Sequence, residues 1–122
     1  MAKFAITISF NEHCGSERSR FLFARIWNRA CKRAYGKKKH LRPLGYGAVD
    51  WTNRDMSHIH VMALLDNRQD WFLECLQESC KHFQRRFESW SKQIQTEDEE
   101  IQYMKYIESK RIAKTEIVFG NT

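Results

Sequence analysis

The sequence predicts an α+β fold in which a small antiparallel sheet carries helices on one face, in the order β-α-β-β-α-α-β. Three observations point there. Short alternating runs of β-branched and aromatic residues stand near both ends and in the middle of the chain. Longer stretches between them repeat apolar residues at helical spacing. The two middle strands are separated by a short, turn-like "TNRDM" (52–56), and so form a hairpin.

Taken in order, "KFAITISF" (3–10) alternates and reads as the first strand. Residues 17–35 set Leu22, Ile26, Ala30 and Ala34 four apart with Phe23 and Trp27 alongside, an amphipathic stripe that Gly36 is placed to end. "LGYGAVDW" (44–51) and "SHIHVMALL" (57–65) are the hairpin strands. A long helix over about 68–90 follows, with Phe72, Leu76, Cys80, Phe83, Phe87 and Trp90 as its stripe. Thr96 stands three residues before Glu99, a capping-box spacing, and begins a helix that runs to about 112. "TEIVFG" (115–120) closes as the last strand. Helices covering one face of a small antiparallel sheet make a sandwich of the ferredoxin-like or RNA-recognition-like kind, with the other sheet face left free.

At 122 residues, 42% of them hydrophobic, the chain is sized for one domain with its own core over 1–122. A single proline and the absence of low-complexity runs leave no linker to divide it. No stretch approaches a membrane span, and "MAKFAITISF" is too short and too alternating for a signal peptide. A soluble, cytoplasmic protein with no membrane partner is expected. Cys14, Cys31, Cys75 and Cys80 form no Cys-x-x-Cys pair, which argues against a zinc knuckle and a disulfide framework alike.

Lys and Arg number 21 against 15 acids, a formal charge of +6. The excess is local, gathered in "RACKRAYGKKKHLR" (29–42), while acids gather in "TEDEE" (96–100). An anionic partner is favoured, nucleic acid first. Lys37, Lys38, Lys39 and Arg42 are candidate backbone contacts, with Arg18, Arg20 and Arg25 in support.

His58 and His60 project from the same face of their strand, because side chains alternate. They are either half-exposed surface histidines or two neutral imidazoles aimed at one metal ion. A divalent ion held by two imidazoles needs a further ligand, for which a carboxylate is suited. If the hairpin pairs 50 with 58 and 48 with 60, Asp50 lies across from His58 with Cβ atoms ~5 Å apart. A one-residue slip would turn Asp50 into the core, so the apolar and polar patterns demand the same register. Asp55 and His13 are the alternative ligands.

In "EEIQYMKYIESKRIAK" (99–114), Tyr103, Tyr106, Lys110 and Lys114 fall within an ~80° arc. Ile101, Met104, Ile107 and Ile112 form an apolar stripe on the other side. The tyrosines either pack at the stripe's margin or supply a nucleophilic phenol with a lysine one turn away. Lys110 lies at i+4 from Tyr106, which favours Tyr106 over Tyr103. Tyr46 and Trp51 are candidates for stacking on bases.

In this order the motifs resemble the HUH endonuclease superfamily, and within it the small rolling-circle replication initiators (Rep proteins) of plasmids and viruses. "FAITISFN" (4–11) is similar to their first motif, "HIH" (58–60) to their metal motif and "YMKYIESK" (103–110) to their tyrosine motif. The likeness spans about 4–119. It implies Mg²⁺ or Mn²⁺ on His58 and His60, with Asp50 in the third position. It implies Tyr106 as nucleophile, Lys110 as its partner and Tyr103 as a second tyrosine. The activity implied is nicking and strand transfer of single-stranded DNA at a replication origin through a 5′-phosphotyrosine. A host helicase or polymerase would supply the unwinding. Two spacings differ from the family's: three residues separate Tyr106 from Lys110 where many Rep proteins have two, and the tyrosines are three apart where four is common. "YIESKRIAK" (106–114) also resembles the tyrosine helix of REP-type transposases. The competing class is a non-catalytic nucleic-acid-binding or regulatory module on the same fold.

Overall fold

Alternating segments become strands and periodic ones become helices in the computed structural model, which describes residues 1–10, 15–50, 57–84, 86–111 and 116–119. For Ser16, Asp50, Lys110, Arg111 and 116–119 it describes the backbone alone. The elements are β1 (Ala2–Ser9), α1 (Gly15–Tyr35), a 3-10 turn (Lys39–Leu41), β2 (Leu44–Asp50), β3 (His58–Leu65), α2 (Gln69–Phe83), β4 (Glu88–Ile94), α3 (Glu97–Arg111) and β5 (Glu116–Phe119). The strands form one antiparallel sheet in the order β4-β1-β3-β2-β5. The class is α+β, and the first six regular elements, β-α-β-β-α-β, have the ferredoxin-like order.

One sheet face is apolar. Phe4, Ile6 and Ile8 of β1 and Ile59, Val61, Ala63 and Leu65 of β3 are buried beneath α1 and α2. Helix α1 contributes Leu22, Phe23, Ile26, Trp27 and Ala30, and Trp27 meets Phe72 of α2 edge-on with ring centroids 5.0 Å apart. Gly36 ends α1 at φ +57°, where its N–H donates to the Lys32 carbonyl at 2.9 Å. Cys31, Cys75 and Cys80 are free and buried here; burial pushes the Cys31 and Cys80 thiols up to about 12. Among the described residues, no helix is long and apolar enough to cross a membrane.

The hairpin register is the expected one, with Asp50 opposite His58 and Ala48 opposite His60. At Gly47 the two strands run so close that a Cβ would meet the His60 carbonyl oxygen at 2.1 Å and the Val61 Cα at 2.7 Å. Backbone cannot yield as a side chain does. Gly47→Ala is expected to pry β2 from β3 and cost about 1–3 kcal/mol, read as a lower Tm.

Two expectations need correction. The helix expected over 68–90 ends at Phe83: Gln84 is extended (φ −160°, ψ 134°), and the Phe87 N–H donates to its carbonyl at 2.9 Å. The order is therefore β-α-β-β-α-β-α-β. Phe87 and Trp90 continue the spacing of α2 by coincidence. Phe87 packs edge-on against Phe10 (centroids 5.1 Å), whereas Trp90 stands on β4, 57% exposed. An edge strand with Ser89 and Ser91 turned toward the helices carries no apolar alternation to betray it.

The helices also do not share one face. Helix α3 crosses the opposite face, where Lys3 pairs with Glu100 and the Tyr46 hydroxyl donates to Glu108. Its expected apolar stripe is split: Ile107 is buried, but Ile101 is 45% exposed and lines an outward groove with Met104. The tyrosine side turns to the sheet instead. That face offers the hydroxyls of Thr7 and Ser9 and the imidazoles of His58 and His60, which phenols can satisfy and isoleucines cannot.

Candidate active site

The two histidines owe their orientation to β1. Thr7 is the direct partner of His60 in the sheet and Ser9 that of His58, so each hydroxyl faces the imidazole beside it. Thr7 Oγ1 lies 3.1 Å from His60 Nδ1, and Ser9 Oγ lies 3.0 Å from His58 Nδ1. With Nδ1–H donating to the hydroxyl oxygen, each ring presents Nε2 as its acceptor atom. The rings are nearly parallel, at 27°, with centroids 6.2 Å apart. His60 is buried and His58 half-buried.

Helix α3 brings Tyr106 over this pair. Its hydroxyl is 3.3 Å from His60 Nε2, its ring meets that imidazole edge-on at 4.9 Å, and the side chain is 41% exposed. With His60 Nδ1–H donating to Thr7, the phenol would donate to Nε2. The lone pair that accepts this O–H is the one a cation would take.

Tyr103 sits one turn back, its ring 6.2 Å from that of Tyr106. Its surroundings differ. The Tyr103 hydroxyl donates to the carbonyl oxygens of Val61 at 3.2 Å and Ile6 at 3.4 Å. Burial, and then the neighbouring Tyr106, push its phenol well above the usual tyrosine range. Such a hydroxyl stays protonated and pins the helix to the sheet. Of the two tyrosines, Tyr106 is the accessible one.

Asp50 stands opposite His58 by backbone register, and Lys110 one helical turn beyond Tyr106. Their side chains are outside the described residues, as are His13, Trp51 and Asp55. Among the described residues no three His, Cys, Asp or Glu side chains gather to hold a metal ion. The donors present suit one even so: two imidazoles presented on one face, each buttressed at Nδ1.

The basic residues are not gathered at this site. Lys37, Lys38, Lys39 and Arg42 precede β2, whose far end carries Asp50, so the loop lies ~20 Å along the strand from the histidines. Lys37 to Lys39 are exposed there. Arg18 and Arg20 are exposed on the first turns of α1, and the Arg25 guanidinium lies over the rings of Phe21 and Phe83 in a groove between α1 and α2. All three belong to the helix layer behind the sheet. Tyr46 is tied to α3 through Glu108. Sequence reasoning missed Thr7 and Ser9, although the alternation of "KFAITISF" already put them on its polar face. Comparison with family models, with curated proteins and with solved structures found no match for the chain.

Proposed function

We propose that the chain is a metal-dependent nickase and strand transferase of single-stranded DNA, using Tyr106 as nucleophile in the manner of the HUH superfamily, with rolling-circle replication initiation as its setting. The observation that carries this reading is the convergence of an accessible phenol from α3 with two oriented imidazoles from β3.

His58, His60 and Asp50 would hold Mg²⁺ or Mn²⁺, which offsets charge on the oxygens of the scissile phosphate. Tyr106 Oη attacks phosphorus, the bond to the 3′ oxygen breaks, the phenolic proton leaves to solvent and the 3′ oxygen takes up one. The 5′ end is then held as a tyrosine phosphodiester, and a returning 3′-hydroxyl reverses the step. A neutral phenol is a weak nucleophile, and Lys110 would help by stabilising the phenolate as it forms. Incubation with single-stranded oligonucleotides and Mn²⁺ should give a protein–DNA adduct stable to denaturation, and none with EDTA. No adduct and no cleavage across a broad panel would overturn the reading.

Under this reading the loop at 37–42 holds phosphates away from the chemistry. Reversing Lys37, Lys38 and Lys39 to Glu should weaken binding to every sequence. It should also flatten the slope of log affinity against log salt by about 2, at about 0.7 per phosphate contact on a single strand. Adduct formation at saturating DNA should be unchanged. An unaltered salt slope would remove this loop from the interface.

A further inference from the structure

Strand β4 is built inside out. Its serines, Ser89 and Ser91, face the helix layer, where Ser89 donates from both N–H and hydroxyl to Gln77 of α2. Its one large aromatic residue, Trp90, faces the other way and is 57% exposed. Burial would favour the opposite arrangement. The register fixes where Trp90 stands. It pairs with Thr7, which pairs with His60, so the three lie in one row across the sheet. Opposed residues share a face, and two strand spacings put Trp90 ~10 Å from His60. Lys92, also exposed, projects from the same face one step along β4.

We infer that Trp90 is a base-stacking platform for the single strand entering the candidate active site, with Lys92 beside it as a backbone phosphate contact. An indole face receives any base without hydrogen-bond readout, and a neighbouring ammonium tracks the phosphates. The row Trp90–Thr7–His60 then aligns the strand so that the phosphate next to the stacked base falls at the histidines and Tyr106. The choice of occupant rests on the nickase reading. The exposed Lys92 beside Trp90 and the continuity of Trp90 with the histidine row support it.

The test is binding in EDTA, where no cleavage intervenes, to two ligands of equal length: oligothymidylate and the same deoxyribose-phosphate chain without bases. The parent chain should prefer oligothymidylate. Trp90→Ala should reduce that preference roughly 5- to 150-fold, the span for loss of one stacked base, while leaving affinity for the abasic strand unchanged. Trp90→Phe should keep most of the preference, and Lys92→Ala should weaken both ligands alike. An exposed side chain lends the fold little, so the Trp90→Ala protein should melt as the parent does. Equal affinity of parent and Trp90→Ala for both ligands would overturn the inference. So would a Trp90→Ala protein that binds DNA normally but loses a self-association visible by sedimentation, which would make β4 an interface between copies. The two readings fail separately: a chain that forms no adduct yet shows the Trp90-dependent preference loses only its nickase function. One that forms the adduct with no such preference loses only the platform.

Discussion

Tyr106→Phe should form no covalent DNA adduct under conditions where the parent chain does. The substitution removes one oxygen, the one 3.3 Å from His60 Nε2, and leaves the ring that packs against that imidazole. Loss of an attacking atom should lower strand cleavage by roughly 10³-fold or more, while DNA binding in EDTA stays near parental. Tyr103→Phe should behave in the opposite way. Its hydroxyl donates to the Ile6 and Val61 carbonyls, so its removal should cost about 1–2 kcal/mol of stability and still permit the adduct. Lys110→Ala should slow adduct formation without abolishing it. Mass spectrometry of the trapped species decides the matter: a nucleotide on Tyr103 would sink the assignment.

The double variant His58→Ala/His60→Ala should lose Mn²⁺ binding and cleavage together. Both rings lie on the polar face and leave the apolar core untouched. The cost to the fold should be about 1 kcal/mol for each hydroxyl, on Thr7 and Ser9, that loses its partner. Calorimetric titration with Mn²⁺ supplies a readout independent of activity. Parental Mn²⁺ affinity in the double variant would end the metal reading. Thr7→Val should weaken the metal about 10- to 100-fold through the freed His60 ring. Asp50→Asn should weaken it too, and an unchanged affinity there would move the third ligand elsewhere.

The hairpin was legible because two independent patterns choose one register. The apolar set Val49, Ile59 and Val61 must face the helices, and the same pairing brings Asp50 across from His58. Helix α1 was legible for a similar reason: a long stripe meets a core of matching width. Strand β4 was not. Edge strands draw stability from a single neighbour, and "ESWSKQI" carries its tryptophan on the face where no core waits. The seating of α3 was hidden for a different reason. Apolar periodicity predicts the buried side only when the opposing surface is apolar, and this helix lies on hydroxyls, imidazoles and backbone carbonyls. The distance between the basic loop and the histidines follows from which end of β2 each occupies, a fact of topology rather than of charge count.

Among the described residues, helix α3 meets the sheet through the buried Ile107, through polar ties at Lys3, Tyr46 and the Tyr103 hydroxyl, and through Tyr106 against His60. Each tie is worth about 1 kcal/mol, against about 5–15 kcal/mol for unfolding a domain. The sheet with α1 and α2 keeps a complete core of its own. The described residues of α3 therefore share none of the core that α1 and α2 bury against the other sheet face. The Tyr106 oxygen rides on this helix, while the imidazoles belong to the sheet. Under the proposed function, a DNA end joined to Tyr106 would be carried by the helix and the cation by the sheet, so that nucleophile and metal sit on separate elements of the fold.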